Sequence, residues 1–299
     1  QVVAAARDMA VVVGYVGMGA DISNAAALGY DGKLIDVYRK MYLPNYGVFD
    51  EDRYFRRGDV CPVYVINGVG VGVNICEDVW YPVGPIAVQR DSGAELIVNI
   101  NASPFHVGKR DYREKMIATR AADNELFVAY LNSVGGQDEL VFDGASLVCD
   151  MNGDLVTREP AFQESLAITD LDIEAVFRTR LRDPRPRKED PTILRAIGTP
   201  KVFQVSGFDP QERQPLSPPK PAKAMSELEE VYHALVLGTG DYLRKSGFTK
   251  VLVGLSGGID SALTATVARD ALGSDNVTGI TMPSRYSSAG SISDSRELA

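Results

Sequence analysis

Six consecutive residues near the end of the chain have the types and the setting that hold phosphate. An apolar run over residues 251–255 leads into a serine- and glycine-rich turn, and a helix ending at Leu272 is predicted to follow at once. Glycines let an anion approach the backbone, serine hydroxyls donate hydrogen bonds, and the N–H groups of the first helical turn point the same way. The turn has no lysine and no Gly-x-x-x-x-Gly-Lys spacing, so it is not an ordinary P-loop. A serine helix cap alone would explain one serine but not the whole succession. We predict a phosphate-binding loop made of Ser256, Gly257, Gly258, Ile259, Asp260 and Ser261.

A second candidate site centres on Cys76, at the C-terminal end of a predicted strand over residues 69–75. A rigid strand end can present a nucleophile. A lone cysteine is usually a small core hydrophobe, but we expect Glu77 and Asp78, as acids, to lie outside a core. A thiolate here could attack an amide carbonyl if a cation stabilised the growing oxyanion and a carboxylate carried the proton.

The composition narrows the classes of protein that these two sites can belong to. A formal net charge of -9 argues against a nucleic-acid partner, because phosphate backbones need clustered lysine and arginine. The three cysteines, Cys61, Cys76 and Cys149, contain no Cys-x-x-Cys pair, so neither a disulfide framework nor a zinc site is indicated. No apolar run reaches the length of a membrane span. We therefore expect a cytoplasmic enzyme that acts on small molecules and has no membrane partner.

The first part of the chain interleaves hairpins with strand–helix–strand units. Strands are predicted over residues 10–16, 33–38, 63–66, 69–75, 96–100 and 126–133, in a hairpin over 146–156 and near 166–168, with helices over 85–95 and 110–124. Asp31-Gly32 and Asn67-Gly68 are typical hairpin turns. This arrangement favours two sheets stacked face to face with helices outside, a four-layer αββα sandwich.

A change in amino-acid composition marks a linker and a second domain. Residues 178–223 are rich in proline and arginine, which predicts a solvated linker rather than a nucleic-acid patch, with an edge strand over 202–205. A helix over 226–247, strands over 251–255 and 277–282, a helix between them and a final serine-rich turn then begin a doubly wound parallel α/β domain. The predicted domains are 1–177, a linker over 178–225, and 226–299.

These motifs resemble two enzyme families. The loop from Ser256 to Ser261 resembles the pyrophosphate loop of the ATP pyrophosphatases, which have an adenine nucleotide alpha hydrolase-like fold. The segment over residues 38–51, Cys76 and the loop over 99–105 resemble the nitrilase superfamily, whose triad is Glu-Lys-Cys. By that likeness Cys76 is the nucleophile, Lys40 the electrostatic stabiliser and Glu51 the additional glutamate found near the lysine. The principal base is expected before the first strand, so we expect the chain to be a fragment, truncated at both ends.

The two domains in this order resemble the glutamine-dependent NAD synthetase family. The resemblance implies that Cys76 releases ammonia from glutamine, and that the ammonia amidates nicotinate adenine dinucleotide after ATP has adenylated it. It implies Tyr46, Glu77 and Ser103 as glutamine contacts, Trp80 as a weaker one, and the six loop residues as ATP contacts. It also implies Mg²⁺ on Asp260, since a hard cation prefers carboxylate and phosphate oxygens, and assembly as a homo-oligomer.

Other interpretations stay open. The chain could belong to another glutamine-dependent adenylating ligase with a different acceptor, or act as an inactive truncated assembly module. A free amidase is the weakest alternative, because it leaves the phosphate loop unexplained. Lys40 could be an ordinary surface lysine, Glu51 and Glu77 solvent-facing acids, and Asp260 an acid favoured by the helix dipole.

Overall fold

A computed structural model describes residues 1–183, 191–209, 213–286 and 288–299 of the chain. The part of the predicted linker at residues 184–190 and 210–212 therefore lies outside the described residues. The helices are α1 (Val2–Ala5), α2 (Glu51–Tyr54), α3 (Pro85–Asp91), α4 (Lys109–Asn124), α5 (Glu174–Arg182), α6 (Pro191–Ile197), α7 (Glu227–Lys245), α8 (Ile259–Leu272) and α9 (Ala289–Leu298). The strands are β1 (Ala10–Met18), β2 (Ile22–Tyr30), β3 (Lys33–Arg39), β4 (Val60–Ile66), β5 (Val69–Ile75), β6 (Leu96–Asn101), β7 (Phe127–Asn132), β8 (Val134–Gln137), β9 (Leu140–Asp143), β10 (Leu147–Cys149), β11 (Leu155–Arg158), β12 (Thr199–Gln204), β13 (Val251–Gly254) and β14 (Val277–Ile280).

Two sheets lie face to face in the first part of the chain. The small sheet has the antiparallel order β1-β2-β3, and the large sheet has the order β11-β10-β7-β6-β5-β4-β12 with β5, β6 and β7 parallel. Side chains of β2 and β3, such as Leu28 and Tyr38, pack between the sheets against Tyr64, Val73 and Ile75 of β4 and β5. Helices α3 and α4 cover the other face of the large sheet with a second apolar cluster. Parallel strands buried on both faces need this layering.

Local turn chemistry explains the hairpins. Asn67 and Gly68 join β4 to β5 with φ of 48° and 82°, and the Asp31-Gly32 turn between β2 and β3 also has positive φ at both residues. Two left-handed residues in succession match the right-handed twist of paired strands. Both turn predictions are confirmed.

The second part of the chain begins with the long helix α7. Its N-cap is Ser226, whose hydroxyl accepts from the Glu229 N–H while the Glu229 carboxylate accepts from the Ser226 N–H. The parallel pair β13 and β14 follows, joined by α8. Helix α7 also contacts the first part of the chain: the Asp241 carboxylate accepts from the Gly136 N–H at 2.7 Å, and Arg110 pairs with Glu230 at 2.8 Å.

Several sequence-based expectations are wrong in detail. Residues 166–168 form no strand, because Leu166 is 86% exposed and the segment has no backbone partner. Helix α3 ends at Asp91, because Ser92 leaves the helix and Gly93 has a φ of 97°. The serine-rich end is largely helix α9, since the Ser288 hydroxyl caps it. The hairpin β8–β9 was not predicted.

The predicted edge strand in the linker is confirmed as β12, which pairs in parallel with β4. Among the described residues, no helix combines the length and apolar character needed to cross a membrane. The two boundaries between the predicted domains and their linker remain predictions.

Candidate active site

Cys76 lies where β5 ends and a short 3₁₀ turn, Cys76–Val79, begins. Its φ is 44°, which is strained for a residue with a side chain and is held only when the surroundings enforce it. Strand β6 runs parallel to β5, with Ile100 opposite Ile75, so the loop over residues 99–105 emerges at the same sheet edge. Cys76 lines a cavity of about 630 Å³ at this edge. The turn thus presents a thiol to a space large enough for a small substrate.

Lys40 and Glu51 line the same cavity as Cys76. The Lys40 side chain is only 1% exposed, and its Nζ lies 2.6 Å from Oε1 of Glu51. The other oxygen, Oε2, accepts from Asn24 at 3.3 Å. Lys40 is therefore not an ordinary surface lysine, and Glu51 is not a solvent-facing acid. A buried cation beside a thiol is the arrangement that stabilises a developing oxyanion.

The electrostatic surroundings of Cys76 set the state of its thiol. Burial raises its pKa to about 11; the Lys40 cation pulls it down, while the carboxylates of Glu77, Glu51 and Asp78 push it up. The thiol therefore carries its proton at neutral pH. Attack on a carbonyl then requires a base that removes the proton as the substrate binds.

Next to Cys76, the buried Glu77 is paired with Tyr46, a residue whose side chain is largely exposed. The Tyr46 hydroxyl donates to both carboxylate oxygens of Glu77, at 2.8 and 2.9 Å. Burial, followed by this hydrogen bond to Glu77, raises the pKa of Tyr46 far above its usual range. Both Glu77 and Asp78 are buried, so the expectation that these acids lie outside the core is wrong. Each is retained in the interior by hydrogen-bond donors that the local sequence does not reveal.

Ser103 is buried on the loop after β6 and is fixed by a polar network. Its backbone N–H donates to Oδ1 of Asn132 at 2.8 Å. Asn132 Nδ2 in turn lies 3.3 Å from Asp143, which forms a paired contact with Arg113. The network holds the loop rigidly beside β7.

Trp80 lies against Tyr112, with ring centroids 5.7 Å apart, and packs on the cluster under α3 and α4.

Sequence reasoning missed two charged residues of this site. Lys109 begins α4 and donates from Nζ to the Pro104 carbonyl at 2.9 Å. Burial and then the Arg113 charge lower its pKa, while Cys76 and Glu77 act in the opposite direction, so Lys109 lies within electrostatic reach of both. In the sequence, the feature that could have indicated Lys109 is its position at the end of the loop after β6. The second is Asp78, whose neighbours only the tertiary structure reveals.

The segment from Ser256 to Ser261 follows β13 as predicted, and its last three residues form the first turn of α8. Gly257 has a φ of 79°, and the Ser261 hydroxyl donates to the Gly258 carbonyl at 2.9 Å. The loop residues Gly257, Gly258, Ile259 and Ser261 line a cavity of about 520 Å³ together with residues of α9. Ser256 contacts Ser261 through its hydroxyl at 3.1 Å. These are the small groups that an anion-binding loop requires.

Asp260 occupies the first turn of α8, and its carboxylate is exposed. In the part of the chain that the structure describes, no cluster of three or more histidine, cysteine, aspartate or glutamate side chains could hold a metal. Mg²⁺ is commonly bound by one or two carboxylates together with substrate phosphates and water. A single carboxylate beside a phosphate loop fits that pattern, and the Mg²⁺ assignment remains a prediction.

The fold and the site together define the first part of the chain as a nitrilase-like α/β sandwich with a buried cysteine, a buried lysine and a partly buried glutamate at a sheet edge. Residues 1–181 match the family model described as carbon-nitrogen hydrolase. The chain therefore belongs to the carbon-nitrogen hydrolase family. Residues 231–299 match a second family model, described as NAD synthase.

Curated relatives with 44–46% identity match almost the whole chain. The glutamine-dependent NAD(+) synthetase of Aquifex aeolicus is 46% identical over 297 residues, 98% of this chain and 50% of that protein. The enzyme of the same description from Thermotoga maritima is 44% identical over 292 residues, 97% of this chain and 49% of the relative. The solved glutamine-dependent NAD+ synthetase from Acinetobacter baumannii, in complex with adenosine diphosphate, has a TM-score of 0.79 and 34% identity, covering 98% of this chain and 48% of that chain.

The chain spans about half the length of the curated relatives that it matches. The predicted resemblance is confirmed, and so is the fold class: an α/β nitrilase-like sandwich followed by an α/β part in which β13 and β14 are parallel. The roles of the individual site residues remain predictions.

Proposed function

We propose that this chain carries the glutamine-hydrolysing site and the ATP-binding loop of a glutamine-dependent NAD synthetase. The observation that carries this proposal is the convergence of Cys76, Lys40 and Glu51 on one cavity, in a chain that also contains the strand–loop–helix segment at Ser256 to Ser261. A free amidase would account for the first site alone. The similarity to synthetases over nearly the entire chain supports the combined function.

At the first site, the Cys76 sulfur attacks the side-chain amide carbon of glutamine. A carboxylate base takes the thiol proton, and the Lys40 ammonium stabilises the negative charge that develops on the carbonyl oxygen. Collapse of the tetrahedral adduct breaks the carbon–nitrogen bond, and the proton passes to the nitrogen, which leaves as ammonia. Water then cleaves the thioester to give glutamate and the free thiol.

Charged groups near Cys76 suit the two ends of an amino acid. The buried Glu77 carboxylate can pair with the α-ammonium group, and Tyr46 holds that carboxylate in place. The Lys109 ammonium, within electrostatic reach of Cys76, can pair with the α-carboxylate. Ser103, on the fixed loop, supplies a further polar contact.

At the second site, Ser256, Gly257, Gly258, Ile259 and Ser261 hold the phosphates of ATP, and Asp260 would hold Mg²⁺. Bound Mg²⁺ supplies neutralisation of phosphate charge. The carboxylate of nicotinate adenine dinucleotide becomes an adenylate with release of pyrophosphate. Ammonia from the first site then displaces AMP and gives NAD. We further propose that the enzyme is cytoplasmic and forms a homo-oligomer.

The test uses the intact protein and two nitrogen sources. Cys76→Ala should abolish NAD formation from glutamine, because no thioester can form, while NAD formation from added ammonia continues. Cys149→Ala is the matched control, since Cys149 is a buried cysteine of β10 in the core under α3 and α4. Unchanged glutamine-driven synthesis in Cys76→Ala would refute the assignment. Pyrophosphate release with a panel of carboxylates distinguishes nicotinate adenine dinucleotide from the acceptor of another adenylating ligase.

A further inference from the structure

A buried carboxylate two residues after Cys76 has no role in the reaction described above. Asp78 is completely buried, and its two oxygens accept four hydrogen bonds. Oδ1 accepts from the backbone N–H groups of Met41 at 3.1 Å and Tyr42 at 2.9 Å. Oδ2 accepts from the Tyr38 hydroxyl at 2.7 Å and the Ile75 N–H at 3.0 Å. An ionised carboxylate offers about four acceptor positions, so every one of them is used.

The donors to Asp78 come from both sheets. Tyr38 belongs to β3 of the small sheet, and Met41 and Tyr42 follow Lys40 directly along the chain. Ile75 is the last residue of β5 in the large sheet and precedes Cys76. The Asp78 carboxylate therefore joins the segment that carries Lys40 to the strand end that carries Cys76. Each of its four donors lies within two residues of Lys40 or of Cys76.

The hydrogen bond from Ile75 also spans the strained turn. It connects the residue before Cys76 to the residue two positions after it, while Cys76 itself has a φ of 44°. A left-handed non-glycine residue persists only when surrounding contacts over-determine its conformation. Asp78 supplies such contacts from both sides of the turn.

We propose that Asp78 is a positioning residue that sets the thiol of Cys76 against the ammonium group of Lys40. The proposal rests on the proposed glutamine hydrolysis for its biological meaning, but the geometry that it describes can be tested without turnover. Asp78 touches neither substrate nor the reacting atoms. It acts through the two backbone segments that it joins.

Asp78→Asn separates positioning from simple charge, because the two effects have opposite signs. The Asp78 charge by itself raises the pKa of Cys76, and the Lys40 cation lowers it more strongly. If Asp78 were only a nearby charge, Asp78→Asn would lower the Cys76 pKa. If Asp78 positions Lys40, the amide that replaces its carboxylate cannot accept all four hydrogen bonds. Lys40 then moves away from the Cys76 sulfur, and the pKa of the Cys76 thiol rises.

The measurement is iodoacetamide alkylation of the native chain as a function of pH, with mass spectrometry resolving the peptides of Cys61, Cys76 and Cys149. The plateau rate at high pH corrects for access, and the other two buried cysteines report general loosening of the fold. We expect Asp78→Asn to slow Cys76 alkylation at neutral pH about three- to tenfold, since the thiolate fraction falls about tenfold for each rise of one in the thiol pKa. Lys40→Met should do the same, and adding Asp78→Asn to Lys40→Met should give no further slowing.

Asp36→Asn is the matched control. Asp36 lies on β3 near Tyr38 and, like Asp78, accepts from a tyrosine hydroxyl, that of Tyr64 at 2.8 Å, but it is not among the groups named as shifting the Cys76 pKa. It should leave the alkylation profile of Cys76 unchanged. If Asp78→Asn does not fold, Tyr38→Phe replaces it, because this variant removes one donor and keeps the Asp78 charge; a smaller rise in the Cys76 pKa is then expected.

A lower or unchanged Cys76 pKa in Asp78→Asn overturns the positioning role. An unchanged Cys76 pKa in Lys40→Met overturns it as well. If Tyr38→Phe has to replace Asp78→Asn, an unchanged Cys76 pKa in that variant has the same meaning. Protection of Cys76 by glutamine is measured in the same samples. Absence of that protection would count against glutamine as the substrate, whereas the pKa comparison would still decide the role of Asp78.

Discussion

The most consequential stability prediction concerns Arg113, a fully buried charged residue of α4. Its side chain is 0% exposed and that of its partner Asp143 is 3% exposed. Two parallel hydrogen bonds of 3.1 and 2.7 Å join the guanidinium to the carboxylate, and Arg113 also lies over the ring of Tyr130. Asp143→Asn keeps the shape of the side chain but leaves the guanidinium charge buried without a counter-charge.

The expected loss follows from the burial of both partners. Exposed ion pairs contribute about 0–1 kcal/mol, because water screens them. Removing one partner of a buried pair costs about 3–5 kcal/mol, since the remaining charge has lost its solvation and its counter-charge. We therefore expect Asp143→Asn to lower the unfolding free energy by about 3–5 kcal/mol, a large part of the roughly 5–15 kcal/mol available to a typical domain.

Urea unfolding, followed by circular dichroism and by the fluorescence of the single tryptophan Trp80, measures this loss. The matched control is Asp172→Asn, which removes the partner of Arg178 in an exposed pair whose side chains are 64% and 52% exposed. The control should lose less than about 1 kcal/mol. A combined Arg113→Met, Asp143→Leu variant should recover much of the loss, because no buried charge is left behind.

Equal losses in Asp143→Asn and Asp172→Asn would refute the reasoning, since they would mean that the Arg113 charge is not isolated by burial. The same variant bears on the site. Asp143 accepts from Asn132, and Asn132 fixes the backbone of Ser103. Weaker protection of Cys76 by glutamine should therefore accompany the loss of stability.

Two further predictions follow from backbone geometry and from titration. Gly257→Ala should weaken ATP binding in calorimetric titrations, because a Cβ at φ 79° would lie 2.5 Å from the Cα of Ser291. The control is Gly247→Ala, which has a similar φ of 81° but open space around its Cβ position. Unchanged ATP affinity in Gly257→Ala would contradict a rigid loop packed against α9. Burial raises the pKa of Asp78 to about 6, above a usual value near 4, so its contribution to stability is greatest below about pH 4 and is lost as the pH rises through about 6. Urea titrations of the native chain and of Asp78→Asn should therefore show that the native chain loses about 3 kcal/mol of unfolding free energy relative to the variant between about pH 4 and pH 6. A difference between the two that does not change with pH would disprove the raised pKa.

The sequence alone determined the features that depend on neighbours along the chain. The Asn67-Gly68 turn, the helix predicted from residue 226 and the succession of strand, glycine turn and helix at residues 251–272 all form as predicted. Backbone preferences, turn residues and apolar periodicity act over a few residues, so they can be recognised without a fold. The motifs around Lys40 and Cys76 also indicated the carbon-nitrogen hydrolase family before any side chain was placed.

Only the tertiary structure decided which polar groups are buried and what holds them there. Asp78 was expected outside the core, yet donors 36 to 40 positions earlier in the chain satisfy its carboxylate. The Lys40–Glu51 pair and the electrostatic coupling of Lys109 to Cys76 likewise depend on how the folded chain brings these residues together. In the other direction, Leu166 has the apolar character of a strand residue but finds no partner strand and stays exposed. Burial of a charge is favourable only when distant groups pair with it, and that condition is set by the fold rather than by the local sequence.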